Sequence, residues 1–178
     1  MFLDRFFKPR PAALAGRRLY DFASCQARAA AFYADLFAPD TMEGRFELYS
    51  LHVILLMDRL KGEATLNESR QELFDAYIRG LDDAFREIGV SDTSVGKKVK
   101  KLAGHFYGRL RAYDAAFESL PDQEALATLI GRNLFGTVDD ARAGAFARYV
   151  AAARAALAGQ DAISLADGTA PAWPPIAP

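Results

Sequence analysis

The chain has 178 residues, about half of them hydrophobic, with 22 basic and 23 acidic side chains and a net charge of −1. That balance gives no global field for gathering DNA, RNA or anionic lipid, so an electrostatic partner must be met by a local patch. The one cysteine, Cys25, excludes an internal disulfide, and two histidines beside it are few for a zinc site, so a reducing compartment fits best.

Residues 1–18 read as a loose N-terminal segment. Its cations have no continuous apolar region behind them, so it is not a secretory signal. Phe2, Leu3, Phe6 and Phe7 would dock on the domain or rest on a membrane surface. No run approaches the roughly 18–20 apolar residues that cross a bilayer. From Leu19 onward the apolar spacing follows the helical period, with no strand-like alternation.

The first helix is expected from Leu19 to about Phe37, stopped by Pro39. The second starts near Thr41 or Met42 and closes at Gly62. The third, roughly Leu66 to Ile88, carries Leu73, Tyr77, Leu81 and Phe85 on one stripe. The fourth restarts in "VSDTSVGKK", where Asp92 or Thr93 would cap it, and its stripe includes Val95, Phe106 and Tyr113. A short fifth helix follows Pro121 and breaks at Gly136. "TVDD" at 137–140 has the capping-box form before an alanine-rich sixth helix that ends near Ala158. Residues 159–178, with four prolines in the last eight, read as an irregular tail. The expectation is an all-α, compact single-domain bundle of about six helices over 19–158, with flexible termini.

Two constellations stand out. In "GRFELYSLHVILLMDRL", Arg45, His52 and Arg59 are seven apart and fall within about 40° on a helical wheel. Either His52 is a core histidine with one hydrogen-bond partner, or the line is a recognition seam. Between Thr93 and Tyr113 lie six cations and no acid: Lys97, Lys98, Lys100, Lys101, Arg109 and Arg111. Residues 63–92 carry eight acids against three arginines. The two helices would then be antiparallel neighbours with attracting flanks, or the cations would solvate an outer face. The third option is a basic face for a membrane surface, RNA or an anionic protein. Tyr107 is the aromatic left off the apolar stripe.

Catalytic patterns are missing: no nucleophile elbow, phosphate loop, HExxH or ExxH pair occurs. Asp82 and Asp83 point about 100° apart on a helix, a poor carboxylate pair. His52 and His105 are the one pair that would clamp a haem between helices. The expectation is no enzyme, no metal and no cofactor.

The ordered pieces Phe32-Tyr33, Asp40-Thr41, Gly44-Arg45-Phe46, Leu51-His52 and Arg59-Leu60 continue as Leu73-Phe74-Asp75, Asp82, Arg86-Glu87, Gly89-Val90 and Asp92. Lys97-Lys98, Phe106-Tyr107-Gly108-Arg109 and Ala112-Tyr113 complete them. In that order, over about residues 30–135, the chain resembles the ubiquinol–cytochrome c chaperone family. Phe85 departs from the leucine expected before Arg86-Glu87, and the sequence after Gly136 matches poorly.

The resemblance implies a non-catalytic assembly factor for the cytochrome bc1 complex that holds newly made cytochrome b. A ribosome, a second assembly factor and an anionic membrane surface are further implied contacts, and DNA is not. It implies a bacterial-type chain in the cytoplasm, peripheral to the inner membrane. Arg45, His52 and Arg59 would form a structural spine. Lys97, Lys98, Lys101, His105, Tyr107 and Arg109 would meet the partner. The competing readings are an RNA- or ribosome-docking module using the basic 97–111 helix, and a helical enzyme with a pocket around His52.

Overall fold

Pro11 opens the first helix, at a first-turn position where its missing N–H costs nothing. The computed structural model describes residues 10–177, apart from the side chains of Asp92 and Thr93. Phe2, Leu3, Phe6 and Phe7, and the cap expected of Asp92 or Thr93, lie outside the described residues. Within them the chain forms α1 (Pro11–Ala27), α2 (Ala30–Ala34), α3 (Met42–Leu60), α4 (Asn67–Glu87), α5 (Asp92–Glu118), α6 (Glu124–Ile130), α7 (Ala143–Ala158) and α8 (Ala162–Asp167). No strand forms among the described residues. The all-α expectation holds, with α3–α7 as five of the six helices read from periodicity. The first, expected unbroken from Leu19 to about Phe37, instead ends at Ala27 and is followed by the separate short α2.

Residues 11–18 correct the first boundary, since they are helical rather than loose. Alanine and glycine gave no apolar stripe there, yet Ala15 and Gly16 are buried because α1 lies along α4. A Cβ on Gly16 would sit 2.5 Å from the backbone of Glu72. Gly16→Ala is therefore expected to destabilise by about 1–3 kcal/mol through overpacking, although alanine is the better helix former. Urea unfolding checks this, and an unchanged midpoint would mean that α1 and α4 can part without cost.

The central element is α3. Thr41 caps it, its Oγ1 accepting from the Gly44 N–H at 3.1 Å. Every residue from Ser50 to Met57 is buried. Tyr149 meets His52 and Arg154 meets Asp58, pairs 97 and 96 residues apart, so α7 runs parallel to α3. Phe106 of α5 packs on Phe74 and Tyr77 of α4, while Lys98 lies over Phe85. Rising numbers on one helix meet falling numbers on the other, so α4 and α5 are antiparallel.

The "TVDD" capping box does not form. Asp140 instead accepts from the N–H of Arg142, two residues on, and α7 starts at Ala143 without a side-chain cap. The tail is a further correction. Residues 162–167 are helical, with Asp161 capping the Ser164 N–H at 2.7 Å. Ala162, Leu165 and Ala166 are buried. Beyond Gly168 the chain has no regular secondary structure, turning tightly where the Trp173 N–H donates to the Pro171 carbonyl, and Trp173 and Ile176 pack on the core. Prolines rule out a continued helix here but not an ordered strap held by its contacts. The Gln160 side chain holds that strap, donating to the Ala170 carbonyl and accepting from the Ala172 N–H.

Candidate functional site

The three residues of the α3 seam each tie a different piece of chain to the central helix. Arg45 Nε donates to Asp40 Oδ1 at 2.6 Å, and its guanidinium lies over Tyr33. That hydrogen bond holds the exposed Asp40 carboxyl below its usual range. Arg59 donates from Nε and Nη2 to the Gln160 carbonyl at 2.8 and 2.6 Å, fixing the turn into α8.

His52 has no solvent exposure. Its Nδ1 lies 2.7 Å from the Leu48 carbonyl, which can only accept, so Nδ1 carries the proton. Nε2 is then bare and accepts from the Tyr149 hydroxyl at 2.9 Å, and Gln26 donates to that same hydroxyl oxygen. The rings of Phe32 and Trp173 meet the imidazole edge-on, each at 5.3 Å. Burial pushes His52 down to about pKa 4, so the ring is neutral. Both nitrogens are committed within the protein, leaving none to ligate iron. His105 is exposed on α5. The haem clamp and the pocket around His52 are both disfavoured by this geometry.

The basic flank splits in two. Arg109 turns inward, its Nε and Nη2 meeting both carboxylate oxygens of the buried Glu47, with its guanidinium over Phe46. Burial raises the Glu47 carboxyl, an effect that Arg109 opposes. Arg109 therefore joins α5 to α3 and is not part of the open face. Lys98 lies over the Phe85 ring at 5.5 Å. Lys97, Lys101 and His105 are exposed, and Tyr107 is 46% exposed with its ring 5.0 Å from Phe74. The α4 acids do not neutralise this flank: Glu68 and Glu72 pair with Arg10, and Asp82 pairs with Arg86. Position along the sequence located the flank but could not distinguish the inward arginine from its outward neighbours.

A feature with no sequence signal lies where α3 and α7 begin. Phe37 adopts φ 55°, a left-handed backbone unusual for an aromatic residue, and is 63% exposed. It borders a cleft of about 260 Å³ formed with Leu36, Ala141 and Ala145, rimmed by Asp35, Arg142 and Arg148. Arg142 is held over Phe135 at 4.1 Å and paired with Asp140. Among the described residues, no group of three or more His, Cys, Asp or Glu is placed to hold a metal ion. No helix there is long and apolar enough to cross a membrane.

A central helix with a sealed polar centre, packed in an all-α bundle, defines the class of protein at the level of the fold. The chain matches the family model described as ubiquinol–cytochrome C chaperone over residues 34–173, well past the 135 expected from the motifs. It belongs to the ubiquinol–cytochrome c chaperone family. It is also similar to the crystal structure of the Cbp3 homolog from Brucella abortus, at 37% identity and a TM-score of 0.79 over 94% of each chain. No curated protein matches it.

Proposed function

We propose that the chain is an assembly chaperone for the ubiquinol–cytochrome c reductase (bc1) complex, holding newly made cytochrome b until later subunits join. The observation that carries this reading is family membership over 34–173, together with the likeness to the Cbp3 homolog along nearly the whole chain. The protein acts by binding rather than by catalysis, from the cytoplasmic side and peripheral to the inner membrane. Its client seat is the open part of the α5 flank, Lys97, Lys98, Lys101, His105 and Tyr107. Arg45, His52 and Arg59 keep the scaffold behind that seat rigid.

Because the same cations would suit RNA, docking to a ribosome through α5 is the rival reading. A tagged chain in a respiring bacterial host, gently cross-linked and pulled down, separates the two. Cytochrome b enriched over the other bc1 subunits is the expected result. Ribosomal proteins or RNA without cytochrome b would replace the chaperone reading with the docking one.

A further inference from the structure

The α5 helix buries one side and leaves the other without a neighbour. Val95, Phe106, Tyr113 and Phe117 face the core. Lys97, Lys100, Lys101 and Arg111 are exposed. None of these four cations makes an ion pair with a described residue, whereas Arg109 is turned inward to Glu47, and the exposed Lys98 leans on the Phe85 ring beside this face. On a 100° wheel the four fall within an arc of about 100°, and Tyr107 lies just beyond its edge. From 97 to 111 the face runs about 21 Å, four helical turns.

We infer that this outward face of α5 is a docking face for an acidic, helix-length segment of a protein partner. The inference names the partner chemistry at the client seat, and it rests on the chaperone reading for that partner's identity. Charge complementarity carries it. Four uncommitted cations spread along four turns are matched by carboxylates recurring every three to four residues on one helix. A membrane surface would ask for an apolar stripe beside the cations, but the apolar stripe of α5 is spent on the core. RNA would ask for several open rings to stack on, and Tyr107 is the one exposed aromatic on this helix. A partner helix also has room to come close, because a Cβ on Gly104 or Gly108 would meet nothing within 4 Å.

The test uses the full chain and a labelled alanine-based peptide of about four turns carrying glutamate at every fourth position. The comparison peptide has glutamine at the same positions. At low salt the glutamate peptide is expected to bind roughly ten-fold more tightly. Lys97→Glu, Lys100→Glu and Arg111→Glu together should abolish that preference. Gly104→Leu, which meets no neighbour, should weaken peptide binding while leaving the melting temperature unchanged or higher.

Equal binding of both peptides overturns the inference. So does a triple reversal without effect, or tighter binding to phosphatidylglycerol vesicles or poly(U). The triple reversal is then returned to the cytochrome b pull-down. Loss of both peptide preference and cytochrome b supports the face as the client's, and cytochrome b retained overturns that assignment. An unaltered chain that captures no cytochrome b while keeping its peptide preference fails the chaperone reading alone.

Discussion

Replacing Arg109 by alanine is expected to lower folding stability by about 3–5 kcal/mol, the cost of stripping the partner from a buried charge. Glu47 sits on the central helix with 8% of its side chain exposed, and Arg109 reaches it from α5 with 19% exposed. Once the guanidinium is gone, the carboxylate has neither water nor a counter-charge, and burial already pushes it towards its neutral form. The loss should appear as a drop in melting temperature of about 6–20 °C for a chain of this size. Glu47→Gln in the Arg109→Ala background should recover part of it, because the orphaned charge is removed as well. Lys97→Ala is the control: an exposed cation without a partner, expected to change stability by no more than about 0.5 kcal/mol. If Arg109→Ala kept its melting temperature and lost cytochrome b, the arginine would belong to the client seat after all.

The contrast between Arg109 and Lys97 shows where reading the sequence stops. Helical period depends on side-chain polarity in a single chain, so α3, α4 and α5 were legible from their stripes alone. The start of α1 was not, because Ala15 and Gly16 are buried for being small rather than for being apolar. The tail was misjudged for a similar reason. Prolines exclude a helix but not an ordered strap, and the strap's order comes from Gln160, Trp173 and Ile176 meeting distant elements.

The cations of α5 were visible as a run. Which of them turned inward depended on Glu47, 62 residues away in sequence. Phe37 left no trace at all, since a left-handed backbone at an aromatic residue follows no local sequence rule, and its carbonyl meets Arg142, 105 residues away. The family resemblance supplied what local pattern could not, an order of motifs. It stopped short at 135, where the alanines of α7 and the prolines of the strap offer no individually recognisable motif, although the family match runs to 173.

Acid should weaken the fold through His52, in a window set by its burial. The folded imidazole titrates near pKa 4 against an ordinary value of 6.5. Between those values the unfolded chain takes up a proton that the folded chain refuses. Stability is therefore full above pH 6.5 and drains as the pH falls towards 4, by about 3 kcal/mol in total. The lowered carboxyls of Asp40, Asp140 and Asp161 act in a separate, more acid range, below their ordinary 3.8. Urea unfolding followed across the window should give a curve for the unaltered protein that falls steadily.

His52→Leu should start lower at neutral pH, because the Tyr149 hydroxyl loses its acceptor. It should then lose no further stability as the pH falls to 4.5, since the raised Glu47 carboxyl takes up its proton more readily in the folded chain. A slope that survives in His52→Leu would place the acid sensitivity elsewhere. The strap enters the same argument, since the half-buried Trp173 ring is part of what covers the imidazole. Trp173→Ala admits water to His52, which should move its folded pKa back towards 6.5 and shrink the acid-dependent loss. Tail and spine then behave as one unit. The Pro-rich end of the chain helps keep the histidine at its centre neutral, and a neutral His52 is what lets Tyr149 bind α7 to α3.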